Sequence, residues 1–161
     1  MKMFIVGHGR HGKDTVAEIM SEDGLSFVSS SMFVAECCCR PWMEKLGITY
    51  DTLDECYADR HNYRQEWYEA IKDYSKDDQT RLAREIFSEH DLYVGCRDRK
   101  QFLASHKLSD LSIWVDACVR VPVSDPTCKI LSGDCDIILD NNGTLDELRE
   151  RVWRLMTALG F

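Results

Sequence analysis

With 161 residues, 44% hydrophobic and 30% charged, the chain suffices for one domain of ordinary size with its own buried core. Only 9 Gly and 3 Pro exclude a collagen-like or low-complexity polymer, and a formal net charge of −8 argues against a general nucleic-acid surface or a basic membrane anchor. No apolar run approaches the roughly 18 to 20 residues that span a bilayer, and Met1 to Val6 is too short for a signal peptide's apolar region, so a cytoplasmic protein is expected.

Lys2 to Val6 reads as a short buried strand that ends in Gly7, after which Val16, Ile19 and Met20 fall on one helical face. Ser26 to Val28 reads as a second strand. A helix from about Ser31 to Leu46 follows, bent near Pro41 and stopped by Gly47. From Asp51 to His90 the chain is polar and helical. Tyr63, Trp67, Ile71 and Tyr74 share one face there, and Leu82, Ala83, Ile86 and Phe87 share another, with Asp78 as the expected cap of the latter helix.

Leu92 to Val94 and Leu111 to Val115 read as two more strands around a helix from about Arg99 to His106, and Asp136 to Leu139 as a fifth. An insert with Pro122 and Pro126 lies between Val119 and Asp134. The final helix is the clearest: Thr144 and Glu147 form a capping box, and Leu148, Val152, Leu155, Met156 and Leu159 make a stripe that stops at Gly160. Apolar strands alternating with amphipathic helices predict an α/β fold, a mostly parallel five-stranded sheet flanked by helices. Residues 1–161 form one domain in this reading, with 31–90 as a helical cap over one end of the sheet.

Eight cysteines stand at 37, 38, 39, 56, 96, 118, 128 and 135, with no Cys-x-x-Cys pair to suggest zinc. Adjacent side chains on a helix diverge by about 100°, so Cys37, Cys38 and Cys39 are poorly placed to grip one ion. Reduced structural thiols are expected.

Directly after the first strand, Gly7-His8-Gly9-Arg10-His11-Gly12-Lys13-Asp14-Thr15 fits G-x-x-x-x-G-K-x-T, a match expected by chance in about a few per thousand chains of this size. Glycines let the backbone curl so that successive N–H groups converge on one anion, and the helix beginning near Lys13 aims its positive end there. Lys13 would reach the β and γ phosphates of a nucleoside triphosphate. His8 and His11 either contact phosphate or fill exposed loop positions.

The usual metal-binding Ser or Thr directly follows the lysine, whereas here Asp14 does and Thr15 comes next. That spacing resembles the G-K-G-T and G-K-D-T loops of P-loop nucleoside monophosphate kinases, and of phage-type deoxynucleoside monophosphate kinases in particular. The resemblance extends to Gly95-Cys96-Arg97 and to Asp140-Asn141-Asn142-Gly143-Thr144-Leu145. It implies a P-loop NTPase-like fold in which ATP is the phosphoryl donor and Mg²⁺ is required. A nucleoside monophosphate would be the acceptor under the helical cap, and the site would lie in the host cytoplasm if the protein is phage-encoded.

The resemblance assigns Gly7, Gly9, Arg10, His11, Gly12, Lys13, Asp14 and Thr15 to the triphosphate, with Asp14 and Thr15 near the metal. Arg97 would bind the acceptor phosphate and Arg120 would act as a lid arginine; with Lys13 they are the expected catalytic set. Arg99 is expected either to assist or to be solvated. Asn142 borders the expected adenine site. In the cap, Arg60, Arg64, Trp67 and Tyr68 are at helical spacing and are candidates for the acceptor, with core packing the competing reading for Trp67. Many P-loop proteins place a metal-orienting Asp beside the loop strand, where this sequence has Gly95, which leaves Asp14 and Asp116 as alternatives. Two other functions stay open: a kinase of another small metabolite, and a nucleotide-binding switch without transfer. No nucleic acid or membrane partner is expected, and a homodimer is left open.

Overall fold

Alternate residues of the first strand, β1 (Met3–Val6), serve opposite cores: Phe4 and Val6 face one, Met3 and Ile5 the other. All four are fully buried, as a strand covered on both faces requires. The computed structural model describes residues 1–123 and 127–161. Pro126 of the predicted insert lies outside them.

Five strands form one wholly parallel sheet. They are β1, β2 (Phe27–Ser29), β3 (Leu92–Val94), β4 (Leu111–Asp116) and β5 (Ile137–Asp140), in the order β2-β3-β1-β4-β5. β1 is therefore central, with Ile5 opposite Val94 on one side and Ile113 on the other. Because every strand runs the same way, the segments after all five strands emerge along one edge. This edge gathers residues 7–12, 29–30, 95–98, 117–121 and 141–144, the ligand side of an open α/β sheet.

One face is covered by α1 (Lys13–Ser21) and α8 (Leu145–Leu159). Val16, Ala17 and Met20 of the first and Leu148, Val152 and Met156 of the second close over Ile5, Val94, Ile113 and Val115. The predicted stripe of α8 is the one that packs. Its capping box is present, with Thr144 Oγ1 accepting from Glu147 N–H and Glu147 Oε2 accepting from Thr144 N–H.

On the other face, Phe4 meets the rings of Phe87, Tyr93 and Phe102 at 5.0, 5.0 and 5.2 Å between centroids. Phe87 belongs to α6 (Arg81–Glu89) and Phe102 to α7 (Arg99–Ser105). The expected helix over 31–46 is a composite of α2 (Ser30–Val34), a π-helical turn over Ala35–Cys39, and α3 (Arg40–Lys45). Pro41, in the first turn of α3, has no N–H to return to the carbonyl of Cys37. The chain widens just before it, so that Arg40 N–H reaches back to Ala35 O. Gly47 ends this run at a φ of 83°.

The 51–90 block is three helices: α4 (Leu53–Asp59), α5 (Arg64–Tyr74) and α6. α4 has a capping box of its own, Thr52 with Glu55, which its polar sequence disguised. α4 and α5 pack around the π turn, whereas α6 lies on the sheet. The helices after β2 thus cover a face of the sheet as well as building outward from it. Asp78 sits two residues before the N-cap, Thr80, and accepts from both its N–H and its hydroxyl at 2.8 and 2.7 Å. Among the described residues no helix is long and apolar enough to cross a membrane.

Removing the α8 cap should cost stability without touching the sheet. We expect Thr144→Ala to lower unfolding free energy by about 1 kcal/mol in a denaturant titration.

Candidate active site

The loop between β1 and α1 is shaped by two glycines. Gly7 has a φ of 146°, and a Cβ there would stand 2.5 Å from the carbonyl oxygen of Val115, so β1 and β4 can close only around a hydrogen at this position. Gly12, at a φ of 89°, is the N-cap of α1, and a Cβ there would collide with the side-chain amide of Asn141. Arg10, at a φ of 67°, takes the left-handed conformation with a full side chain.

This N-terminus lacks a side-chain cap, whereas Thr52, Asp98 and Thr144 cap α4, α7 and α8. The first intrahelical bond of α1 runs from Val16 N–H to Gly12 O at 3.0 Å. Helix geometry therefore leaves the amides of residues 13–15 without intrahelical acceptors and puts the positive end of the helix dipole beside them. Lys13 adds its ammonium. The residue is only 9% exposed, and Nζ donates to His8 O at 2.7 Å, which curls the side chain back over the loop. Gly95 and Ser30 border it: a Cβ on Gly95 would lie 3.9 Å from Lys13 Cε, and Ser30 Oγ donates to Gly95 O at 3.1 Å. Curled amides, a helix start and a lysine in one place can hold a polyphosphate.

His11 is not exposed loop filler. It is fully buried, with Nδ1 accepting from Ala117 N–H at 3.2 Å and Nε2 facing Val121 O at 3.0 Å. Its ring points beneath the loop toward the segment after β4. Its ligand atoms lie within 4.8 Å of those of Asp116 and Cys118. The imidazole is committed to backbone at both nitrogens and the Cys118 thiol is pushed up by its hydrogen bond to Asp116, so the trio is poorly suited to a metal.

Asp116 closes β4 beside β1, on the opposite side from Gly95, so the sheet does place an acid next to the loop strand. Its carboxylate is occupied, accepting from Cys118 N–H at 3.3 Å and from Asn142 Nδ2 at 3.3 Å. Hydrogen bonding with the Cys118 thiol is the leading cause that holds it below the usual carboxylate range, with the Cys118 N–H and Asn142 adding to it. Asp14 is exposed in the first turn of α1 and Thr15 is half-buried beside it.

The segment after β5 is tied to the loop. Asn142 Oδ1 accepts from Val119 N–H and Arg120 N–H at 2.8 and 3.3 Å, and its Nδ2 donates to Asp140 at 2.6 Å, so its side chain is used within the protein. Asn141, which the sequence does not single out, is the buried partner of the loop: Nδ2 donates to His11 O at 2.9 Å and its N–H to Asp116 O at 2.6 Å. Two adjacent asparagines carry no sequence signal that separates them; burial does.

Of the arginines, Arg120 lies on this edge, its Nε 3.3 Å from Asn141 O. Arg97 is exposed and donates to Thr127 Oγ1, while its carbonyl accepts from Lys129 N–H at 2.9 Å. Arg99 grips Asp134 with bonds of 2.8 and 2.6 Å and holds that carboxyl down at about 2.

The cap group does not assemble as the spacing suggested. Arg60 is the C-cap of α4, with its guanidinium 3.9 Å from the Tyr57 ring centroid and bonded to Tyr57 O, whereas Arg64 opens α5 and is exposed. A turn at 60–63 separates them, so they are not on one helix face. Trp67 is 7% exposed and packs in the core; its indole N–H has no partner among the described residues. Tyr68, next on the helix, is 59% exposed. All eight cysteines are free. Burial pushes the Cys96 and Cys135 thiols up to about 12, and hydrogen bonding with Cys38 raises Cys37, so these are poor thiolates.

Solved structures share this fold. TT1252 from Thermus thermophilus aligns with a TM-score of 0.60 at 17% identity, over 100% of this chain and 98% of that one. A shikimate kinase from Aquifex aeolicus aligns at 0.51 and 14% identity over all of both chains. The fold is that of the P-loop kinases. A sugar kinase from Janibacter sp. aligns at 0.50 and 16% identity, over 97% of this chain and 94% of that one. No protein-family model and no curated protein matches the chain.

Within this P-loop, Gly12→Ala should strain the N-cap and displace Asn141 from His11 O, costing about 1 to 3 kcal/mol in thermal or chemical unfolding. The Arg99–Asp134 pair gives a pH test. The lowered Asp134 carboxyl contributes stability above its unfolded value of about 3.9, and that contribution is lost as pH falls through about 2. The Tm difference between wild type and Asp134→Asn should thus be present at pH 6, modest because Arg99 is 45% exposed, and closed near pH 2.

Proposed function

We propose that the protein is an ATP-dependent phosphotransferase whose acceptor is a nucleoside monophosphate. One observation carries the transfer reading: the uncapped start of α1, with buried Lys13 folded over it, stands at the ligand edge of a P-loop kinase fold. Gly7, Arg10 and Gly12 shape the loop; the amides of residues 13–15 and the Lys13 ammonium would hold the β and γ phosphates.

Transfer then needs alignment and charge more than covalent help. The acceptor oxygen forms a new P–O bond as the bond to the bridging β,γ oxygen breaks, and Lys13 stabilises charge on the leaving side. Arg120 reaches the same edge from the segment after β4. Arg97, on the segment after β3, would meet the acceptor's phosphate by leaving Thr127. Magnesium fits the oxygen donors of the first turn: Thr15 and the exposed Asp14 would hold it, largely through water, since the Asp116 carboxylate is already occupied. When bound it would neutralise the phosphate oxygens.

The nucleoside monophosphate rests on the G-K-D-T resemblance, with exposed Arg64 and Tyr68 as the cap's remaining candidate contacts. The deoxynucleotide and phage associations rest on the same resemblance alone. A second reading, a small-metabolite acceptor, draws support from the burial of Trp67 and from neighbours named as shikimate and sugar kinases.

A coupled ADP-release assay with a panel of nucleoside monophosphates, shikimate and sugars separates the readings. Turnover of a monophosphate is expected, with a loss of about 10²- to 10³-fold in kcat for Lys13→Ala. Turnover only of a non-nucleotide supports the second reading; ATP binding with no turnover on any acceptor would favour a switch.

A further inference from the structure

His11 is buried, polar and part of the loop, yet its ring faces away from the anion cradle. The backbone around it fixes its chemistry. Ala117 N–H can only donate and Val121 O can only accept, so Nδ1 carries the lone pair and Nε2 the proton. The two contacts are the ends of one turn: Arg120 N–H and Val121 N–H both return to Ala117 O, at 3.0 and 2.7 Å. The imidazole therefore staples a five-residue turn at its first N–H and its last C=O, and Arg120 lies inside the stapled span.

A second connection runs in parallel. The carbonyl of His11 accepts from Asn141 Nδ2, Asn141 O lies 3.3 Å from Arg120 Nε, and Asn142 Oδ1 accepts from the N–H of Val119 and Arg120. Loop, turn and post-β5 segment thus close a ring of hydrogen bonds whose common member is His11. The ring of His8 packs at 5.3 Å from that of His11 and 5.1 Å from that of Trp114, which walls the imidazole in.

We propose that His11 is a positioning residue that couples the phosphate-binding loop to the turn carrying Arg120, so that the cradle and the arginine are set in place together. Its chemistry is a directed donor and acceptor on one ring, and among the described residues no other side chain bonds both Ala117 N–H and Val121 O. This role rests on the phosphotransferase reading for its purpose, though the coupling itself does not require an acceptor to be known.

Three measurements test it on the full chain. In ¹⁵N-resolved NMR, His11 should show an unprotonated Nδ1 and a protonated Nε2; the opposite tautomer would overturn the proposal. Next comes a double-mutant cycle between His11→Gln and Arg120→Ala, read by ADP affinity with Mg²⁺ present and by Tm. Arg120→Ala should weaken ADP binding several-fold in wild type and hardly at all in the His11→Gln background, a coupling of several-fold. Effects that simply multiply, in both readouts, would sink the coupling. Last, His11→Asn retains an acceptor near Nδ1 and His11→Gln a donor near Nε2, so each should recover part of the ADP affinity that His11→Ala loses. A merely space-filling role predicts recovery by His11→Leu instead. If no acceptor turns over but the ADP coupling holds, the phosphotransferase reading fails and the strut stands. Turnover with multiplicative effects gives the reverse.

Discussion

Everything at the ligand edge depends on the start of α1 being left without a cap. A helix N-terminus exposes amides that need acceptors, and at α4, α7 and α8 this chain supplies them from its own side chains, Thr52, Asp98 and Thr144. At Gly12 it supplies none. The same position puts Lys13 at the first helical residue, with its stem buried against the loop. Positive potential is concentrated there in a protein whose net charge is −8, so attraction for a polyanion is local to one loop.

Holding such a loop in place falls to the sheet. β1 lies in the middle, its side chains alternating between two cores, and its neighbours bring Gly95 to one side of the loop and Asp116 to the other. Gly7 touches β4 closely enough to exclude a methyl group, and the amide of Asn141 occupies the space beside Gly12. These contacts make the loop a fixed feature of the fold, with its curl set by strands three and four crossovers further along the sequence. The aromatic packing of Phe4, Phe87, Tyr93 and Phe102 on the opposite face anchors the helices that follow β2.

Those helices show where local patterns mislead. The apolar faces of α5 and α6 are as the sequence implies, because a stripe at helical spacing has to find a core. Whether an aromatic on such a stripe serves the core or a ligand is a question of what lies opposite, and for Trp67 it is the core. Arg60 and Arg64 share a spacing but not a helix, since the chain turns at residues 60–63 between them. Pro41 foretold a disturbance, and the chain met it with a π turn upstream.

By itself the sequence determined the strands, the glycine loop with its lysine, the capped final helix and the α/β class, since each is written in residues close together: a buried run, a G-x-x-x-x-G-K-x-T, a Thr-x-x-Glu. Only the tertiary structure decided which acid stands beside the loop, which of two adjacent asparagines holds it, that His11 turns inward, and that Arg99 is spent on Asp134. Those choices join positions as much as 130 residues apart along the chain. Spacing along a chain carries no record of such pairs, because they arise when crossovers bring the ends of separate strands to one edge.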